Sequence, residues 1–244
     1  MDKNKRPLAL ITGSAHRLGF LFARTLAEQG YAILLHYNNS RDEAEIAAVK
    51  LRLLDVPVFL AQADLTDPNA ISGLLSVVDT FSHPLHVLVN SAALMHPADA
   101  QTLSVFDWDA TLNLNLRAPF LLAQGAYQRM SDVGGGLIVN ITDIGAQKAW
   151  SKFPDYTVSK AGLESLTKIL ARSFAPKVRV NAIAPGLALP ADDFPAKEWN
   201  RLLNRLPIPR PAKETELASA LKFLLENEYI IGQTITVDGG YSLL

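Results

Sequence analysis

The sequence predicts an α/β fold, in which a Rossmann-type, doubly wound, parallel sheet of seven strands carries helices on both faces. Short apolar runs alternate with segments of helical periodicity along the whole chain. These runs are rich in Val, Ile and Leu, which is typical of strands that are covered on both sides. The length of 244 residues favours one domain, spanning residues 1–244.

The individual elements follow from the same patterns. The apolar runs predict the strands Leu8–Thr12, Ala32–His36, Val58–Ala63, Val87–Asn90, Leu137–Ile141, Val178–Ile183 and Thr234–Val237. The helical periodicity predicts the helices Arg17–Gln29, Arg41–Leu54, Pro68–Phe81, Val105–Met130, Asp155–Phe174 and Glu214–Leu225. Gly30 is expected to end the first helix in a left-handed cap.

Composition excludes several classes of function. Net charge is −1, which argues against nucleic acid or an anionic membrane as the main partner. Cysteine is absent, and the five histidines form no cluster with metal-ligand spacing, so no metal is expected. Lys3, Lys5 and Arg6 precede the apolar run Leu8–Ile11, which is too short for a signal-peptide core or a membrane span. These features predict a cytoplasmic protein.

A glycine-containing turn follows the first predicted strand and begins the first predicted helix. It reads Thr12-Gly13-Ser-Ala-His-Arg17-Leu-Gly19. Gly13 and Gly19 permit a tight turn, and free N–H groups at the helix start suit a diphosphate. Arg17 stands where the usual motif has a middle glycine, and it adds a cation at the phosphate-binding end. A plain β-α turn is the competing interpretation.

The end of the second strand decides the cofactor. It reads His36-Tyr37-Asn38-Asn39-Ser40-Arg41 and lacks the carboxylate that would hold the ribose 2′-hydroxyl of NAD. His36, Ser40 and Arg41 supply donors and positive charge for a 2′-phosphate, so NADPH is predicted. Asn39 and Ser40 could instead belong to a solvated loop and cap the next helix. Asp64, which precedes Leu65, could accept from the adenine amino group or cap its own turn.

A Tyr–Lys pair is the candidate catalytic centre. Tyr156 and Lys160 are four residues apart and share a helix face. An ammonium beside a phenol is expected to lower the phenol's pKa, which would make Tyr156 a proton donor near neutral pH. Asp143 stands thirteen residues before Tyr156, where most enzymes with this arrangement have Ser. In the competing interpretation Asp143 is only a turn residue after the fifth strand and Thr142 replaces that Ser. Adjacent residues of a strand point to opposite faces, however, so Thr142 should face away.

Taken together, these motifs resemble the short-chain dehydrogenase/reductase superfamily over essentially the whole chain. The matching motifs are Thr12-Gly-x-x-x-Arg-Leu-Gly19, Asn90-Ser-Ala92, Asn115, Tyr156-x-x-x-Lys160, Asn181-x-x-x-Pro-Gly186 and Val237-Asp-Gly-Gly240. Within the superfamily the chain most resembles the pteridine reductases and the related bacterial dihydromonapterin reductases. That narrower match rests on Arg17-Leu-Gly, His36-Tyr-x-x-Ser40, Asp143, Pro185-Gly-Leu187, Asp192-Asp193, Trp199 and the final Asp238-Gly-Gly-Tyr-Ser-Leu243.

The resemblance implies a role for each matching residue. Tyr156 would donate the proton, Lys160 would bind the nicotinamide ribose, and Asn115 would hold a water in the proton path. Asp143 would orient the pterin, and Arg17 would touch both the diphosphate and the substrate. The residues implied to line the cofactor are Gly13, Leu18, His36, Tyr37, Asn38, Asn39, Ser40, Asp64, Leu65, Asn90, Ser91, Ala92, Pro185, Gly186 and Leu187.

The resemblance also divides the chain and predicts its assembly. The cofactor half covers about 1–115 and the catalytic and substrate half about 116–244, with a lid at about 187–210. Relatives pair through the helices predicted here as Val105–Met130 and Asp155–Phe174, so a homotetramer is expected, with Tyr241–Leu244 buried at an interface.

Three departures from the pteridine reductases are visible. Ser91 replaces an Asn that many relatives have. Met95 stands where they have an aromatic residue that packs on the pterin. The sequence also stops at Leu244, without the basic extension that some relatives contribute to a neighbour's site.

Asp143 favours one substrate over the alternatives. Reduction of a ketone builds negative charge on oxygen, which Ser can stabilise and an ionised Asp143 would repel. A pterin C=N bond instead needs a proton on nitrogen, and the pterin edge carries N–H donors that a carboxylate accepts. An NADPH-dependent pterin reductase is therefore predicted. The alternatives are a reductase of 3-oxoacyl thioesters or ketones, and a non-catalytic NADPH-binding sensor.

Overall fold

One seven-stranded parallel sheet forms the centre of the molecule, in the order β3-β2-β1-β4-β5-β6-β7. The computed structural model describes residues 6–190 and 194–244. The sequence features at Lys3, Lys5, Asp192 and Asp193 lie outside the described residues. The strands are β1 (Leu8–Ile11), β2 (Ala32–Tyr37), β3 (Val58–Gln62), β4 (Leu85–Asn90), β5 (Gly136–Ile141), β6 (Val178–Pro185) and β7 (Thr234–Val237).

The helices follow the strands along the chain. They are α1 (Arg17–Glu28), α2 (Arg41–Arg52), α3 (Pro68–Val78), α4 (Val105–Leu112), α5 (Ala118–Asp132), α6 (Pro154–Phe174), α7 (Ala196–Leu203) and α8 (Glu214–Glu226). Short 3₁₀ turns at Ile144–Gln147 and Tyr241–Leu243 follow β5 and β7. Gly30 has a φ of 85° after α1, as its predicted role in ending that helix requires.

The sheet is covered on both faces, which explains its continuous apolar runs. Ala9 and Ile11 pack on one side in a core formed largely with α1, α2 and α8. Leu8 and Leu10 point the other way, into a core formed with α3, α5 and α6. The predicted single-domain, doubly wound fold is confirmed.

The predicted helix Val105–Met130 is wrong as one continuous element. The structure divides it into α4, a π-helical turn at Asn113–Arg117, and α5. Asn115, inside that turn, turns its side chain towards Leu94 and Ser159. π-turns inside helices are frequent at functional sites, and this one lies beside the helix that carries Tyr156.

The segment predicted as a lid, about 187–210, and the residues just before it also contain regular structure. β6 extends through Pro185, and α7 occupies residues 196–203. Leu203 is the one buried residue of α7, although Trp199, Leu202 and Leu203 follow helical spacing on one face of this short helix. None of the helices in the described ranges has the length and hydropathy needed to cross a membrane.

Candidate active site and cofactor cleft

The turn after β1 brings backbone segments close together at two glycines. Gly13 has a φ of 62°, and a Cβ added there would lie 2.9 Å from Ala92 Cα. A Cβ on Gly19 would lie 2.1 Å from the Gly13 carbonyl oxygen. Helix α1 has no side-chain cap at its start, which leaves first-turn N–H groups available for a diphosphate. Leu18 packs against the core beneath this turn.

Arg17 links this turn to the segment that follows β6. Its guanidinium donates to the carbonyl oxygens of Leu189 (2.8 Å) and Pro190 (2.7 Å). Arg17 also has a positive φ of 54°. Arg17 therefore lies beside the Gly13 turn and holds the start of the segment predicted as a lid.

His36 is a correction to the predicted 2′-phosphate site. It is only 2% exposed, and its Nδ1 accepts from the Gly13 N–H at 3.2 Å. The other ring nitrogen, Nε2, lies 2.9 Å from the Ala63 carbonyl oxygen, to which it donates in this tautomer. Burial lowers the pKa of His36, which favours the neutral ring. His36 therefore supports the Gly13 turn and does not offer a donor to a phosphate.

The rest of the predicted 2′-phosphate site is open. Asn38, Asn39 and Arg41 are exposed, and Ser40 does not cap α2 with its side chain. Tyr37 is buried against Ala15 and Ala44 and serves as packing below the loop.

Asp64 and Leu65 lie at the neighbouring strand end. Oδ1 of Asp64 accepts from both the backbone N–H and the hydroxyl of Thr66, at 2.9 and 2.7 Å. This favours the turn-capping role of Asp64, and Leu65 is a core residue.

The ends of β4 and β6 form the inner wall of the cleft. Thr12 Oγ1 accepts from the N–H groups of Ser91 and Ala92 at 3.0 and 3.1 Å, which fixes the chain after β4. Asn90 donates to Asn140 on β5 at 2.8 Å.

On the β6 side, Gly186 donates to the Val237 carbonyl at 3.0 Å. A Cβ on Gly186 would lie 2.7 Å from Asp238 Cα, so only glycine fits beside Pro185. The Leu187 carbonyl accepts from Ala212. Met95 is 42% exposed, in the loop that leads away from β4.

Asp143, Tyr156 and Lys160 meet at the carboxyl end of β5. The Tyr156 hydroxyl donates to Asp143 Oδ2 at 3.0 Å, and the Gly145 N–H donates to Asp143 Oδ1 at 2.6 Å. Lys160 Nζ donates to the Ile141 carbonyl at 2.7 Å and lies 5.6 Å from the centre of the Tyr156 ring. Thr142 faces away, since its hydroxyl donates to Ile183 on β6 at 3.2 Å.

The predicted lowering of the Tyr156 pKa is wrong. Burial and the charge of Asp143, with the hydrogen bond to that carboxylate, raise the pKa of Tyr156 well above 10. Burial also raises the pKa of Asp143, although the Gly145 N–H and Lys160 act against it. Burial lowers the pKa of Lys160 to about 8. Tyr156 is thus a neutral phenol that keeps its proton until a stronger acceptor arrives.

The side chain of Asn115 is fully engaged. Its oxygen accepts from Leu94 N–H at 2.8 Å, and its amide donates to Leu94 carbonyl at 2.8 Å and to Ser159 Oγ at 3.0 Å. Ser159 donates in turn to the Tyr156 carbonyl at 2.7 Å. Asn115 therefore positions the helix turn that carries Tyr156, and its side chain has no group left for the water that the resemblance implies.

Gly145 and Ser159 were not singled out from the sequence. A Gly two residues after an Asp is typical of an Asx turn, so the hydrogen bond from the Gly145 N–H to Asp143 could have been predicted from the sequence. The role of Ser159 depends on packing between the π-turn and α6, which no local pattern reveals. Within the described part of the chain, no group of three or more His, Asp or Glu side chains is arranged to hold a metal ion.

Comparison with known proteins agrees with this geometry. The family model described as enoyl-(acyl carrier protein) reductase matches residues 13–242. The 3-oxoacyl-[acyl-carrier-protein] reductase FabG of Staphylococcus aureus is 30% identical, over 95% of this chain and 96% of the relative. The (2S)-[(R)-hydroxy(phenyl)methyl]succinyl-CoA dehydrogenase subunit BbsD of Thauera aromatica is 33% identical, over 97% of this chain and 96% of that relative.

A solved structure gives an equally extensive match. It is FolM alternative dihydrofolate reductase 1 from Brucella canis, complexed with NADP, with a TM-score of 0.93 and 32% identity over 99% of this chain and 96% of that one. The chain belongs to the short-chain dehydrogenase/reductase superfamily and is an oxidoreductase of that family.

Proposed function

We propose that this protein is an NADPH-dependent reductase of a pterin ring, which converts a dihydropterin such as dihydromonapterin or dihydrobiopterin to the tetrahydropterin. One observation carries the proposal: the Tyr156 hydroxyl donates to the carboxylate of Asp143, at 3.0 Å. The likeness to the Brucella canis protein, described as an alternative dihydrofolate reductase, supports it because that name also implies a pterin ring.

The proposal follows from the charge that each reaction builds. A ketone develops negative charge on oxygen, and a buried carboxylate one hydrogen bond from Tyr156 would oppose it. A dihydropterin C=N bond accepts hydride on carbon and needs a proton on the adjacent nitrogen. A carboxyl group serves that reaction twice, since it accepts N–H bonds from the pterin edge and can pass a proton to the ring.

The proton would come from the Asp143–Tyr156 pair. Because burial raises the pKa of Asp143, its carboxyl can hold a proton closer to neutral pH than an exposed aspartate can. Tyr156, whose pKa is raised further, keeps its proton and orients the carboxyl through their shared hydrogen bond. Lys160 adds positive charge behind the pair and would bind the cofactor ribose.

NADPH fits the cleft and would supply the hydride. Gly13, Gly19 and the uncapped start of α1 leave room and donors for a diphosphate. Exposed Arg41 and partly buried Ser40 remain as partners for a 2′-phosphate after His36 is removed from that site. The Brucella canis structure contains NADP, which supports the same choice.

A second candidate is reduction of a 3-oxoacyl thioester or ketone. The FabG relative and the family description both favour it, and it shares the cofactor and the Tyr156–Lys160 pair. Asp143 argues against it, because its carboxylate would oppose the negative charge that develops on the carbonyl oxygen. A non-catalytic NADPH sensor is a weaker alternative, because such a protein has no need of Asn115, Tyr156 and Lys160 in working geometry.

Assembly as a homotetramer belongs to the same proposal. An apolar groove of about 470 Å³ runs between the π-turn and α6. Phe120 and Ile169 line it and are 40% and 58% exposed. A second copy would cover these side chains by helix pairing. A cytoplasmic location also remains a proposal, which the absence of cysteine supports.

The test is an NADPH-oxidation assay with dihydromonapterin, dihydrobiopterin, dihydrofolate and an acetoacetyl thioester, each with NADH in parallel. We expect the highest kcat/KM for a dihydropterin with NADPH. Turnover of the thioester alone would establish the second candidate. NADPH binding without turnover of any of them would favour the sensor.

A further inference from the structure

A second cleft adjoins the candidate active site and has no role in the reaction described above. It measures about 400 Å³, within the range of small-ligand sites. Its lining comes from three separate parts of the chain: Lys148, Ala149 and Trp150 after the 3₁₀ turn, Arg205 after α7, and Tyr241 and Leu244 after β7. We call it the side cleft.

The side cleft begins close to Asp143. The ring of Trp150 lies against Gly145, where an added Cβ would be 2.8 Å from Trp150 Cζ3. The N–H of that same glycine holds the Asp143 carboxylate, at 2.6 Å. Burial raises the pKa of Tyr241, Arg205 acts against this rise, and the charge of Asp143 adds to it. A ligand held by Asp143 therefore has the side cleft as its neighbour.

Two aromatic rings form the walls. The ring centres of Trp150 and Tyr241 are 6.2 Å apart, with an angle of 37° between the planes. Lys148 Nζ lies 5.7 Å from the centre of the Tyr241 ring and donates to the Leu244 carbonyl at 3.2 Å. Such walls suit the planar or aliphatic linker of a substituent on the substrate.

The charge of the lining is positive. Lys148 and Arg205 are its two charged side chains, and in the described ranges neither pairs with an Asp or Glu side chain. Lys148 donates instead to the main-chain oxygen of Leu244, the last residue of the sequence, at 3.2 Å. The nearby carboxylate of Asp238 is occupied by the N–H groups of Gly240 and Ser242, at 2.9 and 2.6 Å. Arg205, which has no acidic partner among the described residues, and the neighbouring ammonium of Lys148 favour an anionic group beside these aromatic walls.

We propose that the side cleft binds an anionic substituent of the pterin substrate, with Lys148 and Arg205 as its specificity-determining residues. The proposal rests on the proposed function and adds a property of the substrate. Two sources share this chemistry: the carboxylates of a folate-type tail, and the phosphate ester of a phosphorylated pterin side chain.

The experiment compares three substrates that differ beyond the ring: neutral dihydrobiopterin, dihydrofolate and dihydroneopterin monophosphate. It measures kcat/KM with NADPH for the unmodified protein and for the double variant Lys148→Gln/Arg205→Gln. The control is Lys177→Gln/Arg172→Gln, which also removes one lysine and one arginine charge. Both control residues are exposed, and they lie near the C-terminal end of α6 and the N-terminal end of β6, at the ends of these elements that are away from the site.

We expect the ratio of kcat/KM for an anionic substrate over dihydrobiopterin to fall about tenfold or more in the side-cleft variant and to stay constant in the control. If the ratio falls for dihydrofolate alone, the side cleft binds the carboxylates of a folate-type tail. If it falls for dihydroneopterin monophosphate alone, the side cleft binds the phosphate ester. Unchanged ratios for both, or an equal fall in the control, overturn the proposal.

Binding of the same three pterins to the NADP⁺ complex, measured by calorimetry, separates this proposal from the proposed function. If the pterins bind and are reduced while the two ratios do not respond, only the side-cleft proposal fails. If no pterin binds or is reduced, the pterin function itself fails, and the side-cleft proposal fails with it.

Discussion

Replacing Lys160 by Met should make the protein more stable at neutral pH while removing most of its activity. Lys160 is 3% exposed, and burial lowers its pKa from 10.5 to about 8, against the opposing effect of Asp143. Since one pKa unit corresponds to about 1.4 kcal/mol, keeping the ammonium charged in the folded protein at pH 7 costs about 3 kcal/mol.

The expected gain is smaller than this cost. Met fills a similar volume without charge, but the Ile141 carbonyl loses the donor that lies 2.7 Å away. That loss costs about 1 kcal/mol, so the free energy of unfolding should rise by about 2 kcal/mol at pH 7. Asp143 loses its neighbouring cation, and its raised pKa lets it take up a proton instead of staying as an isolated buried charge.

The stability difference between the Lys160→Met variant and the unmodified protein should depend on pH in a defined direction. Lys160 is a base whose pKa is lower in the folded state, so its cost is complete below about pH 8 and fades as the pH rises towards 10.5. The advantage of the Met variant should therefore shrink to less than about 1 kcal/mol at pH 9.5. Urea-unfolding midpoints at pH 7 and pH 9.5, at one protein concentration, measure it.

Exposed Lys177→Met is the matched control, and it should change stability by no more than about 0.5 kcal/mol. A Lys160→Met variant that is less stable at pH 7, by an amount that does not vary with pH, would refute the reasoning. The kcat of this variant should fall by about 10²-fold or more, because the charge behind the Asp143–Tyr156 pair is lost.

Three further predictions test the site and the assembly. Tyr156→Phe should keep NADPH affinity but lower kcat by about 10²–10⁴-fold, and near-normal pterin turnover would exclude Tyr156 from the proton path. Asn39→Asp places a carboxylate just after β2 that would repel a 2′-phosphate, so the ratio of kcat/KM with NADPH over kcat/KM with NADH should fall. Equal kcat/KM with the two cofactors in the unmodified protein would contradict the 2′-phosphate site. Light scattering at micromolar concentration should give a tetramer, in which Leu243, 83% exposed in one chain, is covered; a monomeric mass would contradict it.

The sequence predicted the sheet well because its strands are buried on both faces. The run Leu8–Ile11 is apolar throughout and Leu137–Ile141 is interrupted by Asn140 alone, and that pattern needs no tertiary information to be recognised. Helix α7 was missed although its apolar residues follow helical spacing, because prolines lie on both sides of it and indicate an irregular segment. The π-turn was missed because it depends on contacts of Asn115 with Leu94 and Ser159.

Within the site, it was easier to predict which residues take part than to predict their pKa values and hydrogen-bond partners. Spacing placed Tyr156 and Lys160 on one face, but the pKa of Tyr156 depends on burial and on the direction of its hydrogen bond to Asp143. His36 carries the right chemistry for a phosphate, yet Gly13 and Ala63 occupy both ring nitrogens. Such competition between partners is a property of the folded chain and leaves no trace in one strand's sequence.

Asp143→Ser tests the central claim most directly. The change removes the carboxylate that a pterin requires and restores the donor that ketone reduction uses, while the backbone of β5 is untouched. NADPH affinity should change little, and Asp143→Asn should lower pterin turnover further, because an amide cannot pass a proton on. The measurement is the ratio of kcat/KM for a dihydropterin over an acetoacetyl thioester, in the unmodified protein and in the Ser variant. The account predicts that this ratio falls in the variant; a ratio that is unchanged or higher would show that Asp143 does not select the substrate, and would favour the carbonyl reductase.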